Sequence, residues 1–360
     1  MSVNIITNTG GAFEPDYSHI ADAAHNKTPA RLPLYEHSIC VQAMEKVLGR
    51  EFGSLASGGY GDKVEFFKNY CEFHRIMGYD TVSYECCIGP AMPYSGLLGG
   101  HGESVIHTYE DFKKYPWEGI PEAYFEKFGE NFSALREALP AGMKAVGGVG
   151  NGIFECAQDI TGYMNLAYIS ADDPELYAEL FRKIGDTSLA IWRRFMEAYG
   201  DIYCVLRFGD DLGYKSNTLL SASDIRRYIV PEYAKIIACV HEYGKPFLYH
   251  SCGCIFDVMP DMIDTARIDA KHSNEDQIAP FPYWVEQYGD RIGNFGGIDT
   301  DAVCRLSKPE IREYVAEVLA QCQNARGFAF GSGNSIPDYV PVDNYVEMVN
   351  AVRRHRGDFS

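Results

Sequence analysis

The chain has 360 residues, 46% hydrophobic and 23% charged, which is enough apolar sequence for a full core and excludes a disordered chain. Lys and Arg number 32 against 50 Asp and Glu, a net charge of −18. A surface this acidic repels phosphate backbones and anionic lipid, so nucleic acid and membrane surfaces are excluded as favoured partners.

The chain contains no run of 18 apolar residues, so no transmembrane helix is expected. The N-terminus lacks a basic head followed by an apolar stretch, so no secretory signal is expected. Eleven scattered cysteines read as reduced thiols, which places the protein in a cytoplasm. Residues 1–28 form an N-terminal arm. A first strand is predicted at 31–35 (RLPLY), then a helix at 62–77 with Val64, Phe67 and Cys71 at helical spacing, and a second strand at 80–85. A third strand follows at 145–149. Asp172, Asp173 and Pro174 open a long helix over 174–198, with negative charge where a helix N-terminus favours it. The fourth strand is 203–208, followed by a helix at 231–243 that stops at Gly244. Strands at 246–250, 268–272 and 291–298 come next. Ser307 and Glu310 form a capping box ahead of another helix, and the last strand is 327–330.

Eight alternations of strand and helix require crossover connections and a parallel sheet, and eight units suggest closure. The expected architecture is a single (β/α)8 TIM barrel spanning 1–360, with long insertions after the first strands. An open doubly wound sheet would need a Gly-rich turn after the first strand, where Tyr35-Glu36-His37-Ser38 stands instead.

A barrel carries its active site at the C-terminal ends of its strands. Those ends offer Glu36 and His37; Glu85, Cys86 and Cys87; Asn151; and Arg207, Asp210, Asp211 and Lys215. Further along they offer His250, Cys252 and Cys254; His272, Asn274 and Glu275; Asp299; and Ser332, Asn334 and Ser335. The sharpest local feature is His250-Ser251-Cys252. Residues two apart on a strand point the same way, so imidazole and thiolate can converge on one zinc ion. The competing reading is a buried strand-end His beside small apolar cysteines. Asp210-Asp211 is either a turn with one Asp capping backbone, or a metal ligand or base with an orienting neighbour. The segment Gly331-Ser332-Gly333-Asn334-Ser335 reads first as a strand-to-helix turn, and second as an anion-binding loop.

The HSCG run at 250–253, GGID at 296–299 and GSGNSIP at 331–337 followed by VPVDNY at 340–345 resemble the uroporphyrinogen decarboxylase superfamily, over about residues 28–355. The resemblance implies a (β/α)8 barrel and one of two chemistries. The porphyrinogen decarboxylases carry a basic M-R-Q-A-G-R segment after the first strand. Here that segment is Glu36-His37-Ser38-Ile39-Cys40, which argues against a polycarboxylate substrate. The other branch holds zinc methyltransferases that work with a corrinoid protein, with a His-x-Cys motif and a later Cys. His250 and Cys252 match the motif, whereas Ser332 and Asn334 stand where the later Cys belongs. The third metal ligand is therefore open among Glu85, Asp211 and Glu275, with His37 and Asp210 further candidates.

The leading expectation is a methyltransferase acting on a small O-, N- or S-methylated substrate, of the demethylating kind. It would use zinc as Lewis acid and a corrinoid (cobalamin) held by a partner protein. Asp210, Asp211 and Glu85 are the expected catalytic acids, and His37, Glu36, Arg207, Lys215, Asp299 and Asn334 the expected substrate contacts. The alternative is a metal-free decarboxylase of a small carboxylic acid in which Arg207 and Lys215 bind the carboxylate. A third reading is a barrel that only binds a partner or ligand. The oligomeric state is open, a homodimer included.

Overall fold

The computed structural model describes residues 13–97 and 103–358. The first part of the expected N-terminal arm, residues 1–12, lies outside the described residues. Seven strands form one parallel sheet in chain order: β1 (Thr81–Cys87), β2 (Lys144–Gly150), β3 (Tyr203–Gly209), β4 (Phe247–His250), β5 (Ala270–His272), β6 (Gly293–Ile298) and β7 (Phe328–Ser332). Each is the predicted strand to within two residues. Helices precede and connect them, with Tyr60–Met77 ahead of β1 and Pro174–Tyr199 and Val230–His241 between strands, all at the predicted places. The predicted capping box is formed: Glu310 accepts the Ser307 N–H at 2.8 Å and opens the helix Lys308–Gln321.

The predicted first strand is a correction. Residues 31–35 are not a strand; the segment touches β7 through one isolated parallel bridge, Leu34 to Phe330, and a second, Ile39 to Ile336, joins the stretches that follow each. Pro33 has no N–H to contribute to a ladder and only accepts, from Phe330 N at 2.9 Å. The segment still runs beside the sheet. Ser83 of β1 donates its hydroxyl to the Glu36 carbonyl, and Arg207 of β3 donates to the His37 carbonyl at 3.0 Å. Its close approach to β7 depends on Gly331, where a Cβ would overlap the Tyr35 carbonyl oxygen.

Alternation along the strands separates two surroundings. One set of side chains, Val205, Leu248, Ala270, Phe295 and Ala329, forms a small inner core with Tyr35. The helix Ser18–Ala24 closes that core through Ile20, Ala23 and Ala24, all fully buried. The larger core lies between the sheet and the helices and holds most of the aromatic residues. Two residues beyond Val205, Leu248 and Ala270 come Arg207, His250 and His272. A period of two places these three on the inner face, one step nearer the C-terminal ends. The fold thus lays an apolar floor and sets polar groups above it.

Candidate metal and substrate site

A cavity of about 340 Å³ opens at the C-terminal ends of the strands. Its wall is formed by His37, Ser38, Glu85, Cys87, Asn151, Glu155, Gly209, Asp211, His250, Cys252, Asn334 and Ser335, with no Lys or Arg among them. His250 ends β4, and the turn after it brings Cys252 Sγ to 3.5 Å from His250 Nε2. Asp211, just past β3, places Oδ1 at 3.8 Å from the same nitrogen and accepts the Cys252 N–H at 2.8 Å. Ligand atoms of Asp211, His250 and Cys252 all lie within 4.8 Å of one another. Asn334 stands where a second sulfur was expected and donates its amide to Cys252 Sγ at 3.2 Å.

A second trio, His37, His250 and His272, is equally close. Its His272 is committed on both sides, with Nδ1 2.7 Å from His250 Nδ1 and Nε2 3.3 Å from the Ser332 carbonyl. It has no lone pair to spare for an ion. The imidazole, thiol and carboxylate set is therefore the one whose chemistry fits zinc, which takes nitrogen, sulfur and oxygen donors. Neither Glu85 nor Glu275 joins it. Glu85 faces Arg207, and Glu275 lies in the turn after β5, where its backbone bridges Ala279.

The adjacent acids Asp210 and Asp211 have different jobs. Asp210 is fully buried and points away from the cavity. Its oxygens accept Phe154 N at 2.9 Å, Glu155 N at 2.8 Å and the Tyr233 hydroxyl. It anchors the start of the helix Ile153–Thr161, so the turn-and-cap reading holds for Asp210 and its expected role as catalytic acid does not fit this placement.

Several expected substrate contacts are likewise occupied or elsewhere. Arg207 is 1% exposed and gives Nε and Nη2 to Glu85 Oε2 at 3.0 and 2.9 Å, and Nη1 to the Tyr35 hydroxyl. Lys215 is exposed and bonds Gln277 at 2.7 Å. Asp299 caps the helix Thr300–Arg305 and accepts Asp276 N at 2.7 Å. Glu36 is buried against Ser332, accepting its N–H at 3.0 Å and its hydroxyl. These four are not in the cavity wall. His37 is, with its ring stacked on His250 at 3.9 Å and Nε2 3.7 Å from Glu85 Oε1.

Glu155 is a wall residue that strand-end reasoning missed, because it lies in the first turn of the helix after β2 rather than at the strand end. Asn151 holds its carboxyl through Nδ2 at 2.8 Å, and Asp211 N approaches its other oxygen at 3.4 Å. Asn151 itself has a φ of 62°, a left-handed conformation uncommon outside glycine.

Burial governs the charges. It pushes Glu155 well above the ordinary carboxyl range, with Asp210 adding to the effect. It raises the Cys252 thiol, with Asp211 adding to the effect. His250 is kept neutral by burial first and by His272 and Arg207 next. Burial raises Glu36 to about 8 against two lowering bonds from Ser332.

The uroporphyrinogen decarboxylase (URO-D) family model matches residues 99–355. A curated uroporphyrinogen decarboxylase from Syntrophotalea carbinolica is 24% identical over 192 residues, 53% of this chain and 52% of that protein, so the match spans about half the relative's length. A methyltransferase from Methanosarcina mazei has the same fold with a TM-score of 0.69 and 16% identity, over 95% of this chain and 99% of that one. A protein from Listeria monocytogenes assigned as a vitamin-B12-independent methionine synthase matches with a TM-score of 0.50 and 12% identity, over 92% of this chain and 98% of that one. The family match covers well over half of the sequence and includes six of the seven strands and most of the cavity wall; the chain belongs to the uroporphyrinogen decarboxylase family.

Proposed function

We propose that this chain is a methyltransferase that takes a methyl group from a small O-, N- or S-methylated donor and passes it to the cobalt of a corrinoid carried by a partner protein. One observation carries the reading: His250 Nε2, Cys252 Sγ and Asp211 Oδ1 converge on a polar cavity with no cationic side chain in its wall. Those three residues would hold zinc, which supplies Lewis-acid polarisation of the methyl-bearing heteroatom. The fold similarity to the Methanosarcina mazei methyltransferase supports the reading at the level of architecture.

The chain's own groups do the rest. Asp211 fixes the turn by holding Cys252 N, and Asn334 donates to the sulfur, which favours the thiolate. Glu155 has no cationic partner among the described residues and faces the cavity, so it is the carboxyl placed to give a proton to the departing heteroatom. Glu85 is held by Arg207 and aims its other oxygen at His37, which orients that imidazole against the wall.

The decarboxylase alternative needs a cation for the substrate's carboxylate. Arg207 is engaged by protein acceptors and Lys215 is outside the cavity, so the cavity offers that alternative no cation.

The test is methyl transfer with a panel of corrinoid proteins and methylated donors, alongside metal analysis of the purified protein. The expected outcome is one zinc per chain and donor-dependent methylation of the corrinoid, with both lost in Cys252→Ala. Metal-free protein that releases CO2 from a carboxylic acid would overturn the proposal. Glu155→Gln keeps the acceptor for Asp211 N; it is expected to retain zinc and lower turnover by about 10² to 10⁴-fold.

A further inference from the structure

The strongest feature outside the cavity wall is a line of buried polar groups behind it. It runs from Glu36 through Ser332 and His272 to His250. A neutral imidazole has one N–H and one lone pair, so each contact along this line limits the next. Ser332 offers His272 a carbonyl oxygen, which only accepts; Nε2 of His272, 3.3 Å away, therefore carries the hydrogen. That leaves a lone pair on His272 Nδ1. It faces His250 Nδ1 at 2.7 Å, and two lone pairs at that distance repel, so His250 Nδ1 carries the hydrogen and donates. The lone pair of His250 is then on Nε2, the atom that points at Cys252 Sγ and Asp211 Oδ1.

The rings have little freedom to escape this arrangement. His250 and His272 are opposite each other in the β4–β5 register and are 5% and 0% exposed. Tyr35 packs edge-on against His272 at 5.1 Å, and His37 stacks on His250 at 3.9 Å. Ser332 is itself held at its N–H and its hydroxyl by Glu36.

We propose that His272 is a positioning residue that accepts the Nδ1 proton of His250 and so fixes the tautomer whose Nε2 lone pair enters the cavity. An imidazole of a neighbouring strand does here what a carboxylate or backbone carbonyl does behind many metal-bound histidines. Its consequence for zinc rests on the methyltransferase reading, but the tautomer itself does not.

Two substitutions separate the halves of the argument. His272→Asn keeps an acceptor near the position of Nδ1, whereas His272→Gln keeps a polar group near Nε2 for Ser332 and removes the acceptor that His250 uses. Zinc affinity is measured by chelator competition, and the fold is checked by thermal unfolding. The expected result is a loss of about 10 to 100-fold in zinc affinity for His272→Gln and a loss of no more than about threefold for His272→Asn. In metal-free wild-type protein, ¹⁵N-histidine long-range spectra, assigned with His250→Gln, should show His250 with its proton on Nδ1. A proton on Nε2, or equal zinc affinities in the two variants, would overturn the proposal. Wild-type protein that binds no zinc would instead defeat the methyltransferase reading, and the spectra of the metal-free protein would still decide the role of His272.

Discussion

Arg207 is a full positive charge with 1% exposure, and such a charge persists only with partners. It has three: Glu85, the Tyr35 hydroxyl and the His37 carbonyl. Removing it leaves Glu85 as a carboxylate without its counter-ion at the cavity edge. Arg207→Leu is therefore expected to lower stability by about 3–5 kcal/mol. Lys215→Ala, at an exposed site, should stay within about 0.5 kcal/mol of wild type. Urea unfolding midpoints read both; equal midpoints would show that Arg207 is not integrated as described. The sequence presents these two cations alike, as basic residues at or just past the end of one strand. What separates them is Glu85, 122 residues away, and no local pattern announces that pairing. The His250–Cys252 pair is legible beforehand because the two lie two residues apart at one strand end, although the strand stops at His250 and the turn after it brings the sulfur to the ring.

At the level of elements, the strand ends are legible and their side-chain assignments are not. Asp210 and Asp211 differ by one position just past β3, and they face opposite sides. Asp210 closes the first turn of Ile153–Thr161 and takes the Tyr233 hydroxyl, while Asp211 reaches the cavity. Asp210→Ala strands two helix N–H groups and a buried hydroxyl, at a cost of about 2–3 kcal/mol. It should leave one zinc per chain bound in whatever fraction is folded. Asp211→Ala should reverse the pattern, keeping the melting temperature within a few degrees and losing zinc. Thermal unfolding with metal analysis on both variants checks the pair, and the opposite assignment would contradict it. The missing first strand has the same kind of cause. The hydrophobicity of RLPLY reads as a strand, but Pro33 withholds the donor that a continuous ladder requires.

For the molecule as a whole, the arrangement is an apolar floor inside the sheet, a polar layer above it and a thick aromatic shell outside. None of the described helices is long and apolar enough to cross a membrane, and all eleven cysteines are free thiols. The shell carries its own pH sensitivity through His74, 2% exposed among Tyr70, Phe73 and Tyr79. Burial lowers it to about 4 from 6.5, against a raising bond to the Tyr70 carbonyl. The unfolded chain thus binds more protons in that interval. The neutral form's advantage is complete above about pH 6.5 and is lost as pH falls toward 4, where the change levels off. The shift corresponds to about 3 kcal/mol. His74→Asn keeps a donor for Tyr70 and should flatten the stability profile by that amount between pH 7 and 4; parallel profiles would rule the effect out. The parallel sheet and its strand order follow from the alternation of patterns in the sequence. The partner of each polar group depends on contacts between strands far apart in the chain.

The most direct measurement is X-ray absorption at the zinc edge on protein purified without added metal, paired with metal counting. The account predicts one zinc per chain with a single sulfur at about 2.3 Å and nitrogen and oxygen ligands at about 2.0–2.2 Å. Loss of the sulfur shell in Cys252→Ser and of the metal in His250→Ala should follow. A zinc-free protein, or a shell of nitrogen alone, would contradict it.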